Sequence, residues 1–345
     1  MSVSIPSEMR AIVLECYDEN IPTAIRNLKV IKKPVPRPGN GQVIIRVEAA
    51  PCNPSDIVFL QGLYGIKKTL PSTPGWEGSG TVIGSGGGFL GRWLIGRRVA
   101  CAGQSDADGT WAEYFVTDAK FCVPLTSKIT FEQGATMLVN PLSALSLVET
   151  ARKKGHKAMV QSAASSQLGR MILQLANYFG IQIINIVRRE DQAALLASSG
   201  AKVILNSEAV NFVETLREEC SKRKATIAFD PVGGKMTGLV LGAMPPRSEI
   251  IVFGNLSGSP CSAIDARDLI FGQKTVTSFW LSNWVQQLGF IRTFRATHRV
   301  QKLIADGIFS TEVRMRLKLE GVPDGLMEYH QRMTDGKILI IPSME

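Results

Sequence analysis

Histidine and paired cysteines are scarce in this sequence, which limits the metal and disulfide chemistry it can support. Its 345 residues contain three histidines and six cysteines. No C-x-x-C pair occurs, and His156, His298 and His330 have no spacing typical of metal ligands, so we assign them no role. Scattered cysteines of this kind are typical of reduced, mostly buried thiols in a cytosolic protein.

Long apolar runs are missing as well. No stretch is long enough to span a bilayer, and no basic segment followed by an apolar one marks a secretory leader. We therefore expect a cytoplasmic protein, or a mitochondrial matrix protein if a transit peptide has been removed. No interaction with a membrane is expected.

Acidic residues are outnumbered, and the formal net charge is +9. A basic surface suits ligands that carry phosphate, such as NADPH or coenzyme A, or an acidic carrier protein. The basic residues are spread along the chain, and no RNA-binding signature or basic run interleaved with aromatics is present. Nucleic acid is therefore not an expected partner.

Residues 157–190 form the most informative stretch of the chain. Ala158 begins a short apolar run, small residues follow, and a segment with helical periodicity then ends at Gly180. A nearly continuous β-branched run from Ile181 to Val187 comes next. This order predicts a βαβ unit whose second strand is buried on both faces.

The turn of this unit is where a dinucleotide would bind. The three glycine positions of the G-x-G-x-x-G pattern fall on Ala164, Ser166 and Gly169, so two of the glycines are replaced. The replacements are small, and Ser165 and Ser166 carry hydroxyls that can donate to phosphate oxygens. The pattern therefore still allows a pyrophosphate to approach the start of the helix.

The end of the second strand indicates which dinucleotide is bound. An NAD site usually has Asp or Glu about 20 residues after the turn, to bind the ribose 2′-hydroxyl. This chain has Arg188 and Arg189 there. Guanidinium groups bind a 2′-phosphate through charge-assisted pairs, so the sequence favours NADPH over NADH. The alternative is that the two arginines belong to a solvated loop.

Two domains are predicted from the order of elements. Residues 1–126 contain short strands separated by Gly- and Pro-rich turns, which favours a partly open β-barrel. Residues 127–274 alternate strands and helices, beginning with one helix over residues 131–150, which indicates a doubly wound parallel sheet. Residues 275–345 return to the first domain and complete it.

Strand ends in such a sheet place several residues near one crevice, because ligands bind beyond the carboxyl ends of parallel strands. The residues concerned are Ser165, Arg188, Asp230, Gly254 and Asn255.

A set of short motifs makes the chain resemble the medium-chain dehydrogenase/reductase superfamily over almost its whole length. They are residues 9–11 (MRA), 53–56 (NPSD), 74–78 (PGWEG), 229–234 (FDPVGG) and 336–338 (GKI). The resemblance implies a GroES-like β-rich catalytic domain and a Rossmann cofactor domain. Zinc-dependent members carry a catalytic cysteine where this chain has Asn53 and a histidine where it has Trp76. Between Val99 and Phe115 only Cys101 could serve a structural zinc lobe, so no zinc site is expected.

Within that superfamily the chain resembles zinc-free quinone oxidoreductases and, more closely, mitochondrial-type 2-enoyl thioester reductases. The closer motifs are residues 61–65 (QGLYG), 139–141 (VNP), 184–188 (INIVR) and 279–284 (FWLSNW). In the enoyl reductases the tyrosine of the first motif is the proposed proton donor, which implies Tyr64 here. Quinone reductases also carry Gly-Leu-Tyr near this position, so Tyr64 alone does not separate the two families.

The resemblance also implies which residues bind ligands. The residues expected at the NADPH are Asn140, Ser165, Ser166, Gln167, Leu168, Arg188, Arg189, Phe253, Gly254, Phe279, Trp280, Leu281 and Lys337. The residues expected in the substrate pocket are Asn53, Trp280 and Trp284. Trp280 and Trp284 are equally compatible with a domain-interface core.

The expected reaction is reduction of the activated C=C bond of a 2-enoyl thioester, with hydride going to the β-carbon and a proton to the α-carbon. Tyr64 would donate a hydrogen bond or the proton, since tyrosine is protonated at neutral pH. One alternative is an NADPH:quinone oxidoreductase or another enone reductase. A second, from a different class, is an NADPH-binding sensor or structural protein with little turnover.

The expected partners follow from the same resemblance. The thioester carrier is coenzyme A or acyl carrier protein, which the sequence does not distinguish, and fatty acid metabolism is the implied context. Members of this type often form homodimers through the edges of their Rossmann sheets. Here Ile250–Phe253 and Thr275–Phe279 are the candidate strands.

Overall fold

The structure, a computed structural model, describes residues 5–344. The strands, in chain order, are β1 (Glu8–Leu14), β2 (Leu28–Pro34), β3 (Gln42–Pro51), β4 (Glu77–Ser85), β5 (Arg98–Ala102), β6 (Tyr114–Asp118), β7 (Cys122–Pro124), β8 (Ala158–Gln161), β9 (Gln182–Val187), β10 (Val203–Asn206), β11 (Ile227–Asp230), β12 (Glu249–Val252), β13 (Thr275–Ser278), β14 (Val313–Leu317) and β15 (Lys337–Ile340).

The helices, in chain order, are α1 (Ile21–Arg26), α2 (Pro54–Leu60), α3 (Phe89–Leu94), α4 (Phe131–Ala135), α5 (Asn140–Lys153), α6 (Gln167–Tyr178), α7 (Glu190–Ser198), α8 (Phe212–Arg223), α9 (Gly234–Ala243), α10 (Ala266–Ile270), α11 (Leu281–Leu288), α12 (Phe290–Ala305) and α13 (Val322–Gln331). Single 3₁₀ turns are Ala119–Phe121, Leu319–Gly321 and Met333–Asp335. No helix within the described residues is both long and apolar enough to cross a bilayer.

The chain divides into two compact units. The first unit contains the chain up to Val139 and again from Thr297, and the second unit is Asn140–Ala296. These limits differ from the predicted boundaries after residues 126 and 274. The first difference arises because α4 packs on β3, β4 and β5, and the second because β13 pairs with β12.

The first unit is built on a mostly antiparallel sheet in the order β14-β15-β3-β4-β5-β7, with β6 paired to β3 and a separate β1–β2 ribbon. Val43, Ile44, Ile45 and Val47 of β3 are all buried in this unit. The core also contains buried aromatic side chains, among them Trp111 and Phe115.

The second unit has a six-stranded parallel sheet in the order β10-β9-β8-β11-β12-β13. Numbered from β8, this order is 3-2-1-4-5-6, that of the Rossmann fold. The chain winds outward from β8 in both directions, so the sheet order reverses between β8 and β11. Ligand sites in such sheets lie at this point, beyond the carboxyl ends of the strands.

One predicted helix is two helices in the structure. A single helix was expected over residues 131–150, but α4 ends at Ala135 and α5 begins at Asn140. The backbone N–H groups of Leu138 and Val139 donate to the carboxylate of Glu77, at 3.0 and 2.9 Å. A contact with a residue about sixty positions earlier in the chain therefore interrupts the helix.

Candidate functional site

The turn after β8 keeps the shape of a dinucleotide-binding turn even though two of its glycines are replaced. Ala163 has a φ of +46°, in the left-handed region that favours glycine. At Gly169 a Cβ atom would lie 2.4 Å from the carbonyl oxygen of Ala164, so only glycine allows α6 to approach the turn this closely. The turn therefore has a left-handed backbone at Ala163 and a residue without a side chain at Gly169.

The serine hydroxyls of this turn are not both available in the way the sequence suggested. Ser166 is the N-cap of α6, and its Oγ accepts a 3.1 Å hydrogen bond from the N–H of Gly169. Ser165 is 2% exposed. The start of α6 therefore offers mainly backbone N–H groups and the helix dipole to an anion.

Arg170 braces this turn, and sequence reasoning did not identify it. Its guanidinium is buried and donates 2.9 Å hydrogen bonds to the carbonyl oxygen of Ser165 and to Oε1 of Gln167. A second buried brace joins Gln161 to the Gly169 carbonyl and to Asn185. A charged residue among the apolar positions of α6 was the signal that could have indicated Arg170.

Ser162 and Asp230 meet where the sheet order reverses. The Oγ of Ser162, after β8, donates a 2.5 Å hydrogen bond to Oδ1 of Asp230, at the end of β11. Asp230 also accepts hydrogen bonds from the N–H of Val232 and the hydroxyl of Thr237, and it is 1% exposed. The carboxylate of Asp230 thus orders the strand end, since its oxygens are engaged by these buried donors.

Arg188 and Arg189 follow β9 and have different surroundings. Arg189 forms a two-point pair with Asp191, with N–O distances of 2.9 and 3.0 Å. The exposed guanidinium of Arg188 has no ion pair with any of residues 5–344, and only its backbone N–H is used, in a bond to Gln192. Arg188 is therefore the cation better placed for a phosphate.

Other predicted cofactor residues lie at the same edge of the sheet, because parallel strands end on one side. Phe253 and Gly254 follow β12, and Phe279 and Trp280 follow β13. A Cβ at Gly254 would lie 2.7 Å from the Pro231 carbonyl oxygen, so this turn also needs glycine. Asn140 is the first residue of α5, Leu168 lies in the first turn of α6, and Leu281 and Trp284 lie in α11.

Three predicted site residues belong to the first unit, and two of them contact each other. The ammonium of Lys337 donates hydrogen bonds to Oδ1 of Asn53 and, at 3.1 Å, to the carbonyl oxygen of Cys52. The Nδ2 of Asn53 donates a 3.0 Å bond to Glu77. The side chains of Asn53, Glu77 and Lys337 are buried, at 1–2% exposure. We name Asn53, Glu77, Lys337 and the neighbouring Asp56 the buried polar network.

Electrostatics in the buried polar network are dominated by desolvation. Burial raises the pKa of Asp56 to about 7, against the opposing effect of a hydrogen bond from the Asn53 N–H. Burial also raises the pKa of Glu77 and lowers that of Lys337, and the attraction between those two charges opposes both shifts. No group of three His, Cys, Asp or Glu side chains able to bind a metal ion occurs among residues 5–344.

Tyr64 lies in the irregular segment between α2 and β4 and is half-buried. Its ring contacts the indole of Trp76, and Phe59 contacts the same indole from the core. Lys68 is buried beside these rings, and burial lowers the pKa of its ammonium to about 8. The first unit thus presents a phenol supported by an aromatic cluster, which is the kind of group that can donate a hydrogen bond to a substrate oxygen.

Comparison with known proteins agrees with this architecture. The family model described as an alcohol dehydrogenase GroES-like domain matches residues 39–127, and the one described as a zinc-binding dehydrogenase matches residues 168–296. With the parallel sheet, these matches confirm the predicted fold class.

The relatives include enoyl reductases and quinone reductases. The mitochondrial enoyl-[acyl-carrier-protein] reductase of Rattus norvegicus is 30% identical over 290 residues, covering 81% of this chain and 74% of its own length. A Mesorhizobium loti structure, named as a candidate NADPH:quinone reductase, is 36% identical with a TM-score of 0.89, covering 99% of this chain and 100% of that one. A mutant enoyl thioester reductase from Candida tropicalis is 21% identical with a TM-score of 0.79, covering 97% and 99%, and shows the fold alone.

Proposed function

Because this chain belongs to the zinc-free part of the medium-chain dehydrogenase/reductase superfamily, and is thus a nicotinamide-dependent oxidoreductase, we propose that it uses NADPH to reduce 2-enoyl thioesters. The observation that carries the choice of substrate is the set of four motifs that the chain shares with the enoyl reductases, namely residues 61–65 with Tyr64, 139–141, 184–188 and 279–284. Support comes from the rat relative, which is named for the reduction of enoyl thioesters on acyl carrier protein.

The residues of the second unit fit NADPH. The left-handed Ala163 and the close approach at Gly169 let a pyrophosphate reach the start of α6. The exposed guanidinium of Arg188, which pairs with no carboxylate of residues 5–344, suits a 2′-phosphate. The residues proposed to hold the cofactor are Asn140, Ser165, Ser166, Gln167, Leu168, Arg188, Arg189, Phe253, Gly254, Phe279, Trp280 and Leu281. When bound, NADPH supplies the hydride.

Tyr64 is the proposed catalytic residue. As hydride reaches the β-carbon, negative charge develops on the thioester oxygen, and a phenol hydroxyl directed at that oxygen stabilises the charge. The α-carbon then takes a proton, which Tyr64 donates directly or through a water. Such proton donors contribute about 10²- to 10⁴-fold in rate. Trp280 and Trp284 are proposed as apolar walls of the substrate pocket.

Asn53 and Lys337 receive a different assignment from the one the sequence suggested. Their polar atoms are occupied by each other, by Glu77 and by the Cys52 carbonyl, and both side chains are buried. We therefore assign them to holding the start of α2, whose N-cap is Asn53. Through α2 they support the segment that carries Tyr64.

A quinone reductase is the second candidate, favoured by the name of the Mesorhizobium loti structure. The test is NADPH oxidation, followed by absorbance, with crotonyl-CoA and with a simple quinone in parallel. Our proposal predicts turnover of the thioester and formation of butyryl-CoA. Turnover of the quinone alone would move the assignment to quinone reductase, and cofactor binding without turnover of any enone would contradict both candidates.

Assembly, carrier and location are also proposals. The four residues of β13 are exposed at the edge of the parallel sheet, which suits pairing with the same edge of a second copy. We propose a homodimer, with coenzyme A or acyl carrier protein as thioester carrier and a place in fatty acid metabolism. The proposed location is the cytoplasm or the mitochondrial matrix.

A further inference from the structure

Trp76 occupies the position at which zinc-dependent relatives carry a histidine ligand, and in this chain it is the centre of an aromatic cluster. The ring centroids of Tyr64 and Trp76 are 5.1 Å apart, with planes inclined by 41°. Phe59 meets the indole edge-on at 5.4 Å, and Tyr17 meets Phe59 at 5.6 Å. The cluster connects the core of the first unit to the half-buried phenol.

Lys68 adds a second restraint on the indole. Its Nζ lies 4.7 Å from the ring centroid of Trp76, within the range of a cation–π contact. The same ammonium donates a 2.6 Å hydrogen bond to the carbonyl oxygen of Ala107. Lys68 is only 7% exposed, so its contact with the indole is shielded from water. Cation–π attraction is stronger at such desolvated sites than at exposed ones.

The backbone on either side of Trp76 is also fixed. Gly75 has a φ of +105°, and a Cβ there would lie 2.4 Å from Oγ1 of Thr110. The carboxylate of Glu77 accepts three hydrogen bonds, from the N–H groups of Leu138 and Val139 and from the side chain of Asn53. The indole is therefore mounted on rigid backbone.

Tyr64, in contrast, belongs to a segment without helix or strand. Residues 61–71, which include Tyr64 but not Trp76, contain no helix or strand, so the orientation of the phenol depends on side-chain packing more than on regular backbone hydrogen bonding. A displacement of about 1 Å in a reacting group can reduce a rate about 100-fold. The contact with Trp76 is therefore in a position to affect the rate through the orientation of Tyr64.

We propose that Trp76 is a positioning residue for Tyr64, holding the phenol in the orientation from which its hydroxyl meets the substrate oxygen. This inference rests on the proposed catalytic role of Tyr64. Zinc-dependent relatives use the residue at this position to hold the metal that polarises the substrate oxygen. In this chain the residue at the same position holds the tyrosine that supplies the hydrogen bond.

The first test separates positioning from substrate binding. Trp76→Ala should lower kcat with crotonyl-CoA about 10- to 100-fold, at an unchanged KM for NADPH. Trp76→Phe keeps an aromatic face and should recover most of that loss. Trp93→Ala, at an exposed tryptophan of α3, is the matched control and should leave kcat unchanged. If Trp76→Ala raises only the KM for the thioester, the indole is a pocket wall and the proposal is wrong.

Trp76→Leu serves the same purpose should the alanine variant not fold, since leucine fills much of the space without offering an aromatic face. It is expected to show the same loss of kcat. A leucine variant with the kcat of the wild type would overturn the proposal.

A double-mutant cycle tests whether Trp76 acts through Tyr64. Single-turnover rates are compared for Trp76→Ala in the wild type and in Tyr64→Phe. If the indole only positions the hydroxyl, its removal costs almost nothing once the hydroxyl is gone. Equal losses in both backgrounds would overturn the proposal. Failure of the proposed function is read separately, from a wild type that does not reduce crotonyl-CoA or a Tyr64→Phe variant with the full rate.

Discussion

Ser162 Oγ and Asp230 Oδ1 are 2.5 Å apart and join the ends of β8 and β11, the two strands between which the order of the parallel sheet reverses. Asp230 is buried, and its carboxylate also accepts hydrogen bonds from the hydroxyl of Thr237 and from the backbone N–H groups of Val232 and Gly233. We therefore expect the geometry of the proposed cofactor site to depend on Asp230.

Removal of this carboxylate should destabilise the protein. Asp230→Ala leaves several buried donors without an acceptor, and we expect a loss of about 2 to 4 kcal/mol in the free energy of unfolding. Urea denaturation measures the loss, with Asp306→Ala at an exposed position as the control. A variant as stable as the control would show that the hydrogen bonds around Asp230 contribute nothing to stability.

The two arginines after β9 should contribute unequally to NADPH binding. Arg188→Ala removes a guanidinium that no carboxylate within the described part of the chain neutralises, so the KM for NADPH should rise about 10- to 100-fold while the KM for NADH changes little. Arg189→Ala should have a smaller effect, because Asp191 already engages that side chain. Initial rates with both cofactors give the comparison, and a larger effect at Arg189 would reverse the assignment.

The buried polar network should be sensitive to the loss of its only cation. Lys337→Met leaves the Glu77 carboxylate buried without its counter-charge, and we expect a loss of about 3 to 5 kcal/mol in unfolding free energy. Lys337→Met combined with Glu77→Gln removes both charges and should recover part of that loss. Additive losses in the double variant would mean that the two charges do not stabilise each other.

Asp56 should make stability fall as pH rises. Its pKa is about 7 in the folded protein and about 4 in an unfolded chain. Between these values the folded state binds the extra proton, so the stabilisation is complete below about pH 4 and is lost as pH rises through 7. Asp56→Asn cannot titrate and should flatten this dependence.

The comparison requires unfolding free energies at pH 5 and pH 8 for the wild type, Asp56→Asn and the exposed control Asp306→Asn. The control should keep the wild-type dependence on pH. If Asp56→Asn also keeps it, another group is responsible for the change.

The βαβ unit was predictable from the sequence because its signals are local. Apolar residues at helical spacing, the stop at Gly180 and the β-branched run predict α6 and β9 to within about two residues of their observed ends. The resemblance to a superfamily, carried by several short motifs in order, supplied the fold class and the position of Tyr64.

Contacts between distant parts of the chain could not be predicted in this way. Lys337 and Asn53 are 284 positions apart, and nothing in either local sequence indicates that they meet. The break between α4 and α5 also depends on a distant contact, because the carboxylate of Glu77 accepts hydrogen bonds from the N–H groups of Leu138 and Val139. Pairing of β13 with β12 likewise places the end of the second unit later in the chain than the predicted boundary after residue 274.

The most direct measurement of the central claim is the reduction of crotonyl-CoA by deuterium-labelled NADPH, for the wild type and Tyr64→Phe, with NADPH binding measured in parallel. The proposed function predicts butyryl-CoA that carries deuterium on the β-carbon and a solvent hydrogen on the α-carbon. It also predicts a rate at least about 100-fold lower in Tyr64→Phe at unchanged NADPH affinity. Quinone reduction that is indifferent to Tyr64, with no labelled butyryl-CoA, would contradict it.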